Sequence, residues 1–394
     1  MIVKDRIFRT IVSENPVIYM EVYMSGSILG TMFRISTWGE SHGTGVGVVV
    51  DGCPAGLSLS EADIQVFLNR RKPGQSRFST PRKEDDAVEI LSGVFEGKTT
   101  GTPISMVVYN KTQRSGDYSE IASYYRPGHA DYTFDEKYGF RDYRGGGRSS
   151  GRETIARVAA GAIASKLLAE LGVTVQAYTR AIGTVAVDDG RFDETEIFNN
   201  QLYMPDAKAA EEAEKLLDEQ RAAGDSVGGI VECVVNGVKP GIGEPVFEKL
   251  NANLAKAVMS IGAVKAFEIG DGVQVSSACG SENNDAFVAD ENGKVAKKTN
   301  HAGGILGGMS DGSQILLRAH FKPTPSIFKE QETVNRDGEN IKVQIKGRHD
   351  PIIVPRAVVV VEAMVAVTVL DMMFMNMTAK LDSIKKFYAV TVQP

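Results

Sequence analysis

The clearest pattern in the chain runs from Arg152 to Leu171, where Ile155, Val158, Ala159, Ala162, Ile163, Leu167 and Leu171 recur at steps of three and four residues. That spacing predicts an α-helix with one buried face, an N-cap at Ser149 or Ser150 and a stop at Gly172. Residues 247–260 carry Leu250, Leu254, Ala257 and Val258 at the same period and predict a second amphipathic helix. A charged helix is expected from Ala207 to about Ala223, and another from a Ser58/Glu61 capping pattern through Leu68, ended by Pro73-Gly74. Short β-branched runs predict strands at Val46–Val50, 103–109, 173–187, 227–237 and 314–321. Residues 358–377 are apolar almost throughout. Glu362, Asp371 and Asn376 interrupt them before the roughly 18 apolar residues a membrane span needs, so a helix buried in a core or subunit interface is expected.

Neither an internal repeat nor a low-complexity linker divides the chain, which predicts one intertwined domain over residues 24–394 with mixed α and β structure. Residues 1–23 carry charges throughout and lack a signal-peptide core. They read as an N-terminal extension ahead of Met24, either a disordered arm or an over-long reading of the gene.

Composition narrows the class. A chain of 394 residues with 42% hydrophobic and 24% charged residues belongs with soluble globular proteins. Three widely spaced cysteines, Cys53, Cys233 and Cys279, give neither a disulfide framework nor a metal cluster and fit a reducing cytoplasm. Net charge is −6, yet residues 69–152 hold 15 Lys and Arg against 11 Asp and Glu. A basic segment inside an acidic protein points to a small anionic ligand and away from nucleic acid.

The chemistry-bearing residues sit in loops. Gly145-Gly146-Gly147, followed by Arg148, Ser149 and Ser150, opens onto the predicted helix, where unpaired N–H groups and the helix dipole suit a phosphate. A plain turn with a serine cap competes with that reading, and nearby Arg126, His129 and Arg152 favour the anion. His42 lies in the Gly39–Gly43 loop before a strand, and Arg70, Arg71, Lys72 and Arg77 crowd eight residues around Pro73-Gly74. A second glycine-dense loop, Asn300 to Gly308, leaves room for a flat ligand or a close backbone. Asp350 stands beside Arg348. The P-loop, the strand-linked dinucleotide fingerprint, HExxH and paired CxxC are all missing. What remains suits proton transfer around a polyanionic substrate.

GESHGTGVGVVVDGCP around His42, GGGRSSGRET, and GRHDPIIVPRAVVVVEAM around Asp350 resemble the signatures of the chorismate synthase family. RPGHADYT, HAGGILGG and KPTPS agree in the same order, so the resemblance runs from Met24 to about Thr378. It implies an α+β fold, a β-α-β sandwich, assembled as a homotetramer. The implied reaction is the anti-1,4 elimination of phosphate from 5-enolpyruvylshikimate 3-phosphate to give chorismate, the last step of the shikimate pathway. Reduced FMN is required without net redox change, lending electron density as phosphate leaves and taking up the ring hydrogen at N5.

Carried over by the resemblance, His42 would protonate the departing phosphate, His129 would lie near the flavin, and Asp350 would manage the N5 proton. Ser41, Arg71, Arg77, Arg126 and Arg152 would bind substrate. Arg148, Ser149, Ser150, Gly262, Ala263, Gly307, Lys322, Pro323, Thr324, Pro325, Ser326 and Arg348 would contact FMN. His301, His320 and His349 are expected to be structural. About 370 residues after Met24 favour an external flavin reductase over self-reduction with NADPH. Two departures stand out: Gly151 where the family pattern reads SSAR, and Gly262 where it reads SINAVKG. The second removes an amide, for which Asn251 or Asn253 are candidate substitutes. A binding protein without turnover, or a flavin-independent phosphate lyase or phosphatase, are the competing functions.

Overall fold

The computed structural model of the chain describes residues 26–74, 77–78, 85–111, 120–345 and 350–389. The extension expected at residues 1–23 lies outside them. Strands β1 (Ile28–Leu29), β2 (Arg34–Gly39), β3 (Gly45–Asp51), β4 (Val88–Ile90) and β7 (Ile104–Tyr109) form one antiparallel sheet in the order β1-β2-β3-β7-β4. A hairpin of β5 (Val94–Phe95) and β6 (Lys98–Thr99) precedes β7. The second sheet, ordered β11-β16-β10-β8-β9, joins β8 (Thr174–Ile182), β9 (Val185–Ala186), β10 (Gly229–Asn236), β11 (Val264–Ile269) and β16 (Ile315–Phe321). Three further hairpins pair β12 (Phe287–Ala289) with β13 (Val295–Lys297), β14 (Ile305–Leu306) with β15 (Met309–Ser310), and β17 (Gln331–Val334) with β18 (Asn340–Val343).

Helices α1 (Glu61–Arg71), α3 (Thr154–Glu170), α5 (Leu250–Met259) and α7 (Val354–Met375) fill the space between the two sheets. Sheet one packs on α3 and α1, sheet two on α7 and α5, and α3 lies against α7, giving the expected β-α-β sandwich. Helices α2 (Asp131–Tyr138), α4 (Ala207–Ala222), α6 (Gly280–Asn283) and α8 (Leu381–Tyr388) lie outside this stack.

The predicted elements are present with informative shifts. The 173–187 strand is a hairpin that turns at Gly183. The helix expected to have one buried face is buried nearly all round, because Ala156, Ala160, Gly161 and Ala164 let it meet α7 as well as sheet one. A Cβ on Gly161 would lie 2.2 Å from the Ala363 Cβ, so the absent side chain sets the helix spacing. Helix α1 is capped at Ser60, not Ser58: the Asp63 carboxylate accepts from Ser60 N and Oγ, both at 2.8 Å. Helix α3 begins later than its serines suggested, after 3₁₀ turns at Gly147–Ser149 and Gly151–Glu153. Ser150 caps the second turn by accepting from Arg152 N. Gly172, at φ +74°, ends the helix as expected.

Helix α7 starts at Val354, a turn before the apolar run, because Pro355 in the first turn needs no N–H partner. By length and composition it could cross a membrane, but 83% of its most apolar stretch is buried between the sheets. Its two acids are satisfied there. Glu362 accepts a fork from Arg70 at 2.7 and 3.0 Å and Ala177 N at 3.2 Å. Asp371 accepts from the backbone N–H groups of Thr31, Met32 and Phe33 at 2.6–3.0 Å, pinning the chain before β2 to the central helix.

Candidate active site

The turn between β2 and β3 carries His42. Asn110, at the end of β7, holds that turn by donating Nδ2 to the carbonyls of Glu40 (2.9 Å) and Gly43 (2.8 Å). Ser41 Oγ lies 3.2 Å from His42 Nδ1. The glycine loop closes over the ring: Gly145 has φ +73°, and a Cβ there would fall 2.2 Å from His42 Cε1. Glycine is required on both counts. The Asp142 carboxyl, held low chiefly by Arg144, also feels the His42 charge. Gly145 thus lies against the histidine, while Gly146 faces Ser149, Ser150 and Arg126.

Arginines form the floor. Asp86, with no side-chain exposure, accepts Arg71 Nη2 at 2.8 Å on one oxygen and Arg152 Nη1 at 3.0 Å on the other. Arg152 Nε also donates to Asn110 Oδ1, which ties this floor to the His42 turn. Arg71 Nη1 donates to Gly151 O at 3.2 Å. Arg356 donates Nε to Arg71 O at 3.0 Å and Nη1 to Asp350 Oδ2 at 2.7 Å. One network of contacts therefore runs from the turn that carries His42 to Asp350. Burial pushes the Arg71 guanidinium down to about 10; Asp86 opposes the shift, while Arg356 and Arg152 add to it. It stays charged at neutral pH. Its side chain is only 2% exposed against 11% for Arg152, so Arg152 is the better placed of the two to meet a ligand.

A second group forms around His129. Arg126 is locked by Asp131 through a fork at 2.7 and 2.8 Å and a backbone bond at 3.0 Å. Burial works against the Asp131 carboxylate, but Arg126 outweighs it and keeps the carboxyl below its usual range. His129 N donates to Arg126 O at 3.2 Å, and Nε2 pairs with Ser326 Oγ at 2.8 Å. Lys322 Nζ donates to Gly128 O at 2.7 Å and its N–H to Ala263 O at 2.9 Å, while Thr324 O accepts from Ser226 Oγ at 2.7 Å. The Lys322, Pro323, Thr324, Pro325, Ser326 segment, Ala263 and His129 thus converge. Burial, then Lys265, lower the Lys322 ammonium, and the Thr324 hydroxyl is buried with no partner. The two groups touch at Gly146, where a Cβ would lie 3.9 Å from Arg126 Nη2.

Other expected site residues fall elsewhere. Arg77 pairs with Glu214 and Asp218 on α4, half exposed. Arg148, by contrast, stays beside the His42 loop, donating to Gly39 O and Thr37 Oγ1, and Ser149 Oγ donates to Gly146 O. Gly307 turns the β14–β15 hairpin beside the start of α5, whereas Gly262 follows its end, roughly 15 Å along the axis. His301 pairs with Asp271 and His320 with Glu268. Arg348 and His349 lie outside the described residues. Asp86, Asn110, Asp131 and Arg356 escaped the sequence reading. Arg356 had a signal, as the one cation in a 22-residue apolar helix, and Asp131 lies within RPGHADYT; Asp86 and Asn110 had none.

A family model described as chorismate synthase matches residues 33–374. The chain belongs to the chorismate synthase family. It is 66% identical over 365 residues to the chorismate synthase of Lachnospira eligens, covering 93% of this chain and all of that one. The chorismate synthase of Agathobacter rectalis is 67% identical over 365 residues, 93% of this chain and 99% of that one. A crystal structure of chorismate synthase superposes with a TM-score of 0.71 at 30% identity, covering 92% of this chain and 97% of that one. The protein is therefore an enzyme of the lyase class. Against the family pattern, Gly151 and Gly262 both face open space, with no atom within 4 Å of an added Cβ. The backbone at Gly262 thus has room for the missing amide. Asn251 and Asn253 sit at the opposite end of α5 from Gly262.

Proposed function

We propose that this chain carries out the anti-1,4 elimination of phosphate from 5-enolpyruvylshikimate 3-phosphate, giving chorismate, with reduced FMN bound. The observation that carries the reading is the continuous network from the turn that carries His42 to Asp350 through Asn110, Arg152, Asp86, Arg71 and Arg356. Reduced FMN, when bound, supplies electron density that helps phosphate depart and accepts the ring hydrogen. The residues suited to hold it are Lys322 and Thr324: the ammonium lies near Lys265, with no carboxylate pairing either among the described residues, and the buried hydroxyl lacks a partner there. Both features fit an anionic, hydrogen-bonding ligand.

In the reaction the ring carbon–oxygen bond to phosphate breaks, a ring carbon–hydrogen bond breaks, and a ring double bond forms. His42, with Nδ1 engaged by Ser41, gives a proton from Nε2 to the departing phosphate. Arg152 and Arg126 neutralise substrate anions. His129, fixed through Ser326, lies against the Lys322–Ser326 segment and holds that wall of the cofactor site. Asp350, oriented by Arg356, receives the proton released on the cofactor side. A homotetramer and an external flavin reductase complete the proposal. Anaerobic turnover of 5-enolpyruvylshikimate 3-phosphate, followed by chorismate and phosphate release with and without chemically reduced FMN, tests it. Product only with reduced FMN is the expected result; no product from folded protein under any flavin condition rejects the reading.

A further inference from the structure

Asn110 follows β7 with each polar atom of its side chain engaged. Nδ2 spans the turn that carries His42, donating to Glu40 O at 2.9 Å before the histidine and to Gly43 O at 2.8 Å after it. Oδ1 accepts from Arg152 Nε, and the backbone N–H donates to Thr44 O at 3.0 Å. The amide has one workable orientation. A guanidinium only donates and a carbonyl only accepts, so a flipped side chain would set its oxygen against two carbonyls and its NH2 against Arg152.

These bonds bracket His42 along the chain. Strand β7 pairs with β3 from Ile104 to Tyr109, opposite Val50 to Gly45, and the bond from Asn110 N to Thr44 O extends that ladder to the edge of the turn. The side chain then crosses to the far side of the turn, where Glu40 O also accepts from Gly43 N at 3.2 Å. Glycines at 39 and 43 leave this backbone free to adopt other conformations, so the amide restrains a segment that its own residues do not. Ser41 and Gly145 meet the imidazole ring, and Asn110 holds the backbone on either side of it. A proton donor serves only the atom within its hydrogen-bond reach, so the hold on this turn bears on rate.

We propose that Asn110 is a positioning residue: its amide nitrogen fixes the β2–β3 turn so that His42 reaches the departing phosphate. This rests on the acid role of His42 proposed above. Asn110→Asp keeps the shape and an oxygen for Arg152 while removing both donors to the turn. Its kcat and KM, its FMN dissociation constant by fluorescence, and the rates at which diethyl pyrocarbonate modifies His42 and His129, read by peptide mass spectrometry, test the proposal. The expected result is a kcat lowered about tenfold or more, KM within about threefold and unchanged FMN affinity. His42 should be modified about threefold faster or more, and His129 at the wild-type rate. In a His42→Ala background the same substitution should lower kcat by less than about twofold, because both changes act through one group. An unchanged kcat overturns the proposal, as does an unchanged His42 modification rate or the full loss repeated on His42→Ala. A joint change in His129 reactivity and FMN affinity also overturns it, being the signature of a merely structural contact. If Asn110→Asp fails to fold, Asn110→Ala, which sets no carboxylate against the carbonyls, is read by the same criteria. Full turnover from His42→Ala rejects the acid role and this proposal together, whereas lowered turnover there with an unaffected Asn110→Asp rejects this proposal alone. Wild-type protein without turnover would reject the reaction and leave the modification rates to judge the hold of Asn110 on the turn.

Discussion

Gly145 and His42 are 103 residues apart and form one unit, because the His42 ring occupies the space that a side chain at position 145 would need. Gly145→Ala should displace the imidazole and strain the turn. An ångström of misplacement at a reacting group costs about 100-fold in rate, so kcat should fall by that order in steady-state assays while FMN binding persists. His42→Ala should abolish most turnover with FMN affinity nearly kept; unchanged turnover would remove the acid role. Asp350→Asn is expected to slow turnover in the same way, and a normal rate would take Asp350 out of the mechanism. At this scale the sequence showed which residue types stand in or beside loops, since His42, His129 and the arginines are bracketed by glycine, serine and proline. It could not show Asp86, whose partners Arg71 and Arg152 lie 15 and 66 residues away. A lone aspartate in a polar run has no periodicity to reveal it.

Among the elements, α3 and α7 decide how the two sheets meet. Gly161→Val would drive two methyl groups into Ala363; overpacking of this kind costs about 1–3 kcal/mol and should appear as a lower urea midpoint. Helix α4 supplies a pH dependence. Its N-cap Asp206 accepts from Lys208 N and Ala209 N and pairs with Arg191. Burial opposes these contacts, yet together they bring the carboxyl down to about 2. A depressed carboxylate stabilises the fold above its unfolded pKa near 4 and loses that contribution as pH falls towards 2. Acid titration of Asp206→Asn followed by circular dichroism should therefore show a shallower loss of stability between about pH 4 and 2 than wild type. Apolar periodicity located α3 and α5, charge content α4 and a nearly continuous apolar run α7, each to within about a turn. The small hairpins and α2 were not legible, being too short to show a period.

For the whole molecule, the sandwich puts the starts of α3 and α7, the end of α1 and the β2–β3 turn at one place, and that convergence makes the site. A sedimentation-equilibrium mass near four times 42.5 kDa is expected for the assembled enzyme. Turnover with NADPH and oxidised FMN should require an added flavin reductase; turnover without one would overturn that part of the proposal.

Residue order alone determined the main helices and strands, the burial of the 358–377 run, and the family, since all of these depend on local periodicity or ordered motifs. Tertiary structure alone decided which cations stand together. Arg71, Arg126 and Arg152 join or border the site, whereas Arg77, from the same basic run as Arg71, turns to the acidic face of α4. Charge pairing depends on distance through space, and burial multiplies its strength, so the partner of a buried arginine is fixed only when the layers close around it.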